Sequence, residues 1–211
     1  METRHSPYDA RQISNWFVKR AQDRGGIWLT TILKLAYIAH GWHLEIRKAP
    51  LFHNPIEAWQ YGPVIPDLYE ALVEQEKNLA AKAEPKRGNA LRWWGYRRFA
   101  PRPQQEKKPP QPVTELLPGY SCDFSKRDNE FLEQVWQMYG GMTAAQLSAL
   151  THEKEGPWEI ATQTNGYFAK IPNILIRKHY EMKRLQSDLR QLQGKGQEGR
   201  AVDENRDHSA Y

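Results

Sequence analysis

The sequence predicts a mainly α-helical protein, a compact domain of about six helices with a minor β-hairpin. Apolar residues recur three or four positions apart in six separate segments, which is the spacing of helices that bury one face. Capping residues precede most of these segments, and glycine pairs follow two of them. Only residues 47–63, which three prolines interrupt, leave the helical pattern long enough for short strands.

The first two helices follow from signals near the N-terminus. Ser6 and Pro7 suit a cap and a first helical position, and the helical spacing that follows ends at residues 25–26, a glycine pair. Thr30 can cap a second helix, which runs to about residue 46 and is apolar around most of its circumference. A helix of that kind is a central, buried one.

The predicted hairpin is followed by a rigid turn. Gly62 permits a sharp turn, Pro63 and Pro66 fix the backbone, and Pro66 also begins the third helix. Such a turn presents Trp59 and Tyr61 in a fixed geometry, so that little entropy is lost when they bind a partner. It equally suits a scaffold that only orients the third helix.

From residue 84 to residue 120 the chain becomes proline-rich and basic, and we expect an insertion with little core of its own. Residues 86–108 alone carry a net charge of +7, so the remaining 188 residues sum to −2. The basic balance therefore belongs to the insertion. We expect one domain over residues 6–190, interrupted at 84–120, and a disordered tail over 194–211.

The later helices also begin at recognisable caps. Ser125 and Thr143 each open a capping-box pattern, and Pro157 suits the first position of another helix. Pro172 begins a long final helix, in which apolar residues form a coiled-coil-like stripe over 175–192. This stripe could pair two copies of the chain.

Aromatic rings alternate with arginines inside the insertion. This composition suits a protein partner, because Arg and Trp are favoured at the centres of interfaces. Through residues 86–108 it also suits nucleic acid, and it is compatible with a membrane surface or with rings packed onto the body. The candidate partner-binding residues here are Arg92, Trp93, Trp94, Tyr96, Arg97 and Arg98.

No motif in the sequence demands an enzyme. Cys122 has no nucleophile motif around it, and phosphate-binding glycine loops are missing. His40, His43 and His152 leave a metal-dependent enzyme as an alternative, although the helical zinc-hydrolase spacings are absent. We expect no catalytic residue, metal or cofactor. With no apolar stretch long enough to span a bilayer and no signal sequence, we also expect a cytoplasmic protein.

Several motifs resemble, in order, those of the Panacea domain family, also described as phage-associated or SocA-like. The resemblance covers residues 8–77 and 124–182. The motif residues, which we expect to be structural, are His40, Gly41, Trp42, His43, Gly62, Pro63, Pro66, His152, Pro157 and Trp158.

The resemblance implies a mainly α-helical antitoxin in a bacterium or a phage-infected host cell. Members counteract a protein toxin that a neighbouring gene encodes, and one branch delivers the toxin to an ATP-dependent protease. Members are not known as enzymes. The insertion is longer and more aromatic than this resemblance leads one to expect. A nucleic-acid-binding phage or prophage regulator that acts through residues 86–108 therefore stands as the alternative function.

Overall fold

The helix at the centre of the fold is the second one, and the other elements surround it. The computed structural model of this chain describes residues 7–83 and 111–207. In those ranges the elements are α1 (Ala10–Ala21), a 3-10 turn (Gln22–Arg24), α2 (Leu29–Arg47), β1 (Glu57–Trp59), β2 (Gly62–Val64), α3 (Pro66–Ala83), α4 (Lys126–Tyr139), α5 (Ala144–Thr151), α6 (Pro157–Asn165), β3 (Ala169–Lys170) and α7 (Asn173–Asp207). This order confirms the predicted mainly α-helical fold with a minor β element.

The central helix α2 is buried on nearly all sides, as its sequence predicts. It contacts α1, α3, α4, α5, α7 and strand β2. Gly41 allows a close contact with α7, because a Cβ atom at this position would lie only 2.1 Å from the ring of Tyr180. The missing side chain therefore sets how near α7 can come to α2.

The three short strands form one antiparallel sheet in the order β2-β1-β3. The β1–β2 hairpin confirms the prediction, with Glu57 opposite Val64 and Trp59 opposite Gly62. Strand β3 was not predicted, because its two residues, Ala169 and Lys170, are too few to show an alternating pattern.

Helix α1 begins later than the sequence predicts. Asp9 caps it, accepting a hydrogen bond from the backbone N–H of Arg11, and Gln12 completes a capping box. Tyr8 cannot join the helix, because its backbone N–H donates to the carbonyl of Leu51 at 2.8 Å. Pro7 therefore precedes the cap, and Ser6 lies outside the described residues. Helix α2 likewise begins at Leu29, without the side-chain cap expected from Thr30.

The caps of the later helices agree with the prediction. The Ser125 hydroxyl accepts from the backbone N–H of Asp128 at 3.1 Å, and the Thr143 hydroxyl accepts from that of Gln146 at 3.2 Å. Pro157 occupies the first turn of α6.

The last ten residues of the predicted insertion belong to the body. Val113 forms a β-bridge with Ile27, and Leu117 is buried. The buried amide of Asn15 donates to the carbonyls of Leu117 and Tyr120 at 2.8 Å and 2.7 Å. A low density of apolar residues hid this packing, since much of it depends on side-chain amides and one β-bridge.

A groove of about 450 Å³ separates this returning segment from the end of α3. Leu79 and Ala80 line it from the helix, and Gln111 and Pro112 line it from the segment. Residues 84–110, between the two walls in sequence, lie outside the described residues.

Helix α7 continues to Asp207, whereas we expected order to end before residue 194. Glycine costs a helix only about 1 kcal/mol relative to alanine. The glycines here alternate with Gln, Lys, Glu, Arg and Ala, which are good helix formers. Within the described ranges, no helix has both the length and the apolarity to cross a bilayer.

Candidate protein-interaction surface

Four aromatic residues gather at one end of the small sheet. Strand β1 ends at Trp59, where it meets the start of β2 and the residue that precedes β3, Phe168. Tyr61 lies in the β1–β2 turn and Tyr167 precedes Phe168. We call these four residues the sheet-end patch.

Three members of the sheet-end patch are open to solvent. Tyr61 is 79% exposed, Phe168 64% and Tyr167 56%. Phe168 also has a φ of +67°, which bulky residues rarely adopt because the side chain then crowds the backbone. Its backbone N–H donates to the carbonyl of Ala58 at 2.8 Å, so the sheet holds it in this conformation. Strained conformations of this kind are concentrated at functional sites.

Trp59 is the half-buried anchor of the patch. Its indole N–H donates to the carboxylate of Glu57 at 3.0 Å, and its carbonyl accepts from the indole N–H of Trp158 at 2.8 Å. Its ring makes edge-on contacts with Tyr69 and Phe168, with centroids 5.1 Å and 5.6 Å apart. Trp59 and the backbone of β1 are thus fixed before any partner arrives.

A buried lysine supports the turn that carries Tyr61. The Lys34 ammonium, from α2, donates to the carbonyl of Tyr61 at 2.9 Å and lies 3.4 Å from that of Pro63. Burial lowers the pKa of Lys34 to about 8, because the charged form loses its hydration. Sequence analysis missed this lysine, since it occupies one position of an otherwise apolar helix.

Gly62 closes the turn against Lys34 and His152. It has a φ of +108°, and a Cβ atom there would lie 2.1 Å from the Lys34 ammonium and 2.6 Å from the His152 ring. His152 in turn contacts the ring of Trp158, with centroids 4.4 Å apart. Motif residues that are far apart in sequence therefore meet beneath the sheet-end patch.

The two histidines of α2 have separate partners. His40 Nε2 lies 3.0 Å from the amide oxygen of Asn173, and burial lowers the pKa of this imidazole to about 4. His43 Nδ1 lies 2.8 Å from the carbonyl of Ala49, and its Nε2 lies 3.6 Å from a carboxylate oxygen of Asp128. Both rings are buried.

Three further motif residues help to position α3, α4 and α7 around α2. The indole N–H of Trp42 donates to the hydroxyl of Tyr139 at 2.9 Å, Gly41 faces Tyr180, and Pro66 begins α3. In the part of the chain that the structure describes, no three His, Cys, Asp or Glu side chains are grouped to hold a metal ion. His152 lies beneath Gly62, so its surroundings differ from those of His40 and His43.

A buried polar cluster around Asp128 also escaped sequence analysis. Its carboxylate accepts from the Tyr8 hydroxyl at 2.7 Å and from the Ser125 hydroxyl at 2.8 Å. Burial opposes the charge, but these hydrogen bonds and nearby His43 leave the pKa of Asp128 below its ordinary value. The Ser125 hydroxyl is thus engaged with the carboxylate of Asp128.

The aromatic and basic candidates in the insertion cannot be placed in the same way. Arg92, Trp93, Trp94, Tyr96, Arg97 and Arg98 lie outside the described residues, so their part in binding stays a prediction.

Comparison with known proteins gives the family. The family model described as "Antitoxin SocA-like, Panacea domain" matches residues 32–159, which is more than half of the chain. The chain therefore belongs to the antitoxin SocA-like Panacea domain family, which confirms the resemblance seen in the sequence. It is similar to the protein named "Antitoxin SocA" from Caulobacter vibrioides (strain NA1000 / CB15N), with 27% identity over 164 residues, covering 75% of this chain and 72% of the relative. No solved structure matches the chain.

Proposed function

We propose that this protein is an antitoxin that neutralises a protein toxin by direct contact, and that the sheet-end patch is part of the contact surface. Membership of an antitoxin family supports the antitoxin role in general. The choice of this contact surface is supported by the exposure of Tyr61, Tyr167 and Phe168 beside the anchored Trp59.

Physical reasoning favours this patch over the rest of the described surface. Aromatic rings supply much of the binding energy at protein interfaces, and they do so best when they are already held in place. Lys34 and Trp158 fix the backbone of the turn and of β1 by hydrogen bonds, so little order has to be created on binding.

The proposed activity is binding without catalysis. The described histidines are each engaged with a backbone carbonyl, an amide or a carboxylate, and the Ser125 hydroxyl donates to Asp128. These arrangements support structural roles for the side chains that would otherwise be candidate catalysts.

A growth assay with co-purification tests the function. The product of the neighbouring gene is expressed from an inducible promoter, with and without this protein, and the pair is then purified. We expect growth arrest by the neighbour alone, and restored growth with recovery of a complex of fixed stoichiometry. If the product of the neighbouring gene does not arrest growth, the proposed antitoxin role is wrong. Restored growth with loss of the toxin and no complex would replace direct neutralisation by delivery to a protease.

Two substitutions test the surface separately. Tyr61→Ala and Phe168→Gly should each weaken the complex by roughly 10- to 100-fold, the usual effect of removing an aromatic hot spot. Phe168→Gly removes the ring while suiting the backbone, because glycine accepts positive φ without strain. The relief of strain offsets the lost edge-on contact with Trp59, so the thermal midpoint should stay close to that of the wild type. This separates lost binding from lost folding.

Met138→Ala is the matched control, since Met138 is an exposed apolar residue on α4, outside the sheet. Equal affinity for the toxin in all three variants and the wild type would move the contact away from the sheet-end patch. Trp93 and Trp94, in the insertion, would then be the next candidates for the toxin contact.

A further inference from the structure

Helix α7 has two apolar faces, and the body covers only one of them. Ile176 and Tyr180 are buried against the body. Met182, Leu185 and Leu189 are 55%, 46% and 58% exposed. At 100° per residue these three lie together on the side opposite Ile176 and Tyr180. We call them the outer stripe.

Ion pairs prevent the helix from rotating to bury the outer stripe. The Lys183 ammonium lies 2.7 Å from the carboxylate of Glu153, and Arg184 Nε lies 3.0 Å from that of Glu45. The side chain of Glu45 is fully buried in the body, so its ion pair with Arg184 holds the face of α7 that carries Arg184 against the body. The outer stripe is left facing away.

The length of α7 adds to this exposure. Its 35 residues extend about 52 Å, whereas the 19 residues of α2, its main support, extend about 28 Å. The distal part of α7 therefore projects beyond α2. An exposed helix gains most of its stability in water from packing an apolar face, so a partner on Leu185 and Leu189 would stabilise α7 where it leaves α2.

The spacing of the outer stripe is that of a coiled coil. Met182, Leu185 and Leu189 are three and four residues apart, and the helical backbone continues through position 192, which is also leucine. Met or Leu at one core position and Leu at the other is compatible with a two-stranded pairing. The same stripe on two copies is self-complementary.

Charges beside the outer stripe favour a parallel arrangement. Glu181 and Asp188 flank one side of it, and Gln186 flanks the other. In a parallel pair Glu181 faces Gln186 of the second copy, which can donate a hydrogen bond. In an antiparallel pair the two copies of Asp188 approach each other, and like charges disfavour that contact.

We propose that the outer stripe of α7 binds the same stripe of a second copy of this chain, forming a parallel dimer. This interaction is separate from the proposed toxin contact, because the stripe lies on α7 and the sheet-end patch lies at the β1–β2 turn.

Sedimentation of the full chain over a wide concentration range tests the dimer. The wild type should shift towards twice the monomer mass as concentration rises, and Leu185→Glu with Leu189→Glu should remain monomeric. Met138→Glu, which changes an equally exposed residue on α4, should behave as the wild type. A wild type that is monomeric throughout, or a double variant that still dimerises, would overturn the proposal.

Disulfide trapping tests the orientation in a Cys122→Ser background. Leu185→Cys should cross-link two copies, because equivalent core residues are neighbours in a parallel pair. Ser187→Cys, two positions away and off the stripe, is the control and should not cross-link. A dimer that forms without the Leu185→Cys cross-link, or with equal cross-linking at Ser187→Cys, would exclude the parallel arrangement.

Discussion

The ammonium of Lys34 lies 2.9 Å from the carbonyl oxygen of Tyr61, so a buried cation supports the most exposed ring of the sheet-end patch. The charge has a cost in free energy, since burial lowers the pKa of Lys34 to about 8 from an ordinary value near 10.5. The folded chain therefore binds this proton more weakly than the unfolded chain does, and the difference depends on pH.

Replacing Lys34 should change the pH dependence of stability. Between pH 8 and 10.5 the unfolded state keeps the Lys34 proton and the folded state loses it, so stability rises with pH over that window. The free energy of unfolding of the wild type, relative to Lys34→Met, should rise by about 2 kcal/mol from roughly pH 7.5 to 9.5. Urea unfolding at the two pH values measures it. A pH-independent difference would show that Lys34 titrates normally.

Adding one methyl group at Gly62 should destabilise the fold. In Gly62→Ala the Cβ atom would collide with Lys34 and His152, and a φ of +108° strains any side chain. We expect a loss of roughly 2–4 kcal/mol in the free energy of unfolding. Gly141→Ala, where the Cβ atom would meet nothing within 4 Å, is the control and should stay within about 0.5 kcal/mol of the wild type.

A second glycine tests the contact between α2 and α7. Gly41→Ala would place Cβ 2.1 Å from the Tyr180 ring, and overpacking of this kind costs about 1–3 kcal/mol. Thermal unfolding of Gly41→Ala, Tyr180→Leu and the double variant measures the coupling between them. The double variant should lose less than the sum of the single losses, because the smaller side chain leaves room for the methyl group. Strict additivity would mean that the two residues do not constrain each other.

Asp128 should contribute to stability at neutral pH and lose that contribution in acid. Its pKa in the folded state is lowered, so the stabilisation is present above the ordinary carboxyl pKa and disappears as pH falls through the folded value. Asp128→Asn should therefore be less stable than the wild type near neutrality. The difference between their free energies of unfolding should become smaller in acid. Chemical denaturation across the acid range measures this difference. Asp123 is an exposed carboxylate, so Asp123→Asn is the control and should follow the wild type. A difference in the free energy of unfolding that did not change with pH would contradict the lowered pKa of Asp128.

Local patterns predicted the starts of three later helices well because each of these helices begins at a local signal. Ser125, Thr143 and Pro157 act where the sequence places them, since each signal depends on neighbours within a few residues. The start of α1 was misplaced because a distant partner, Leu51, pairs with the backbone of Tyr8. Contacts of that kind leave no periodic trace in the sequence.

The candidate site was only half predictable for the same reason. The turn with Gly62 and Pro63 singled out Trp59 and Tyr61, because its backbone restrictions are local. Phe168 was missed, since its position opposite Trp59 depends on strand β3 pairing across more than a hundred residues of sequence. The buried charge of Lys34 was also hidden, because only the assembled fold shows which carbonyl oxygens surround it.

The two walls of the groove at the end of α3 have a consequence for how the chain can vary. Leu79 and Ala80 on one side and Gln111 and Pro112 on the other anchor the chain at one place on the body. The contacts that form these two walls come from described residues on either side of 84–110. A change in the length or composition of 84–110 would therefore leave both of these anchor points on the body in place.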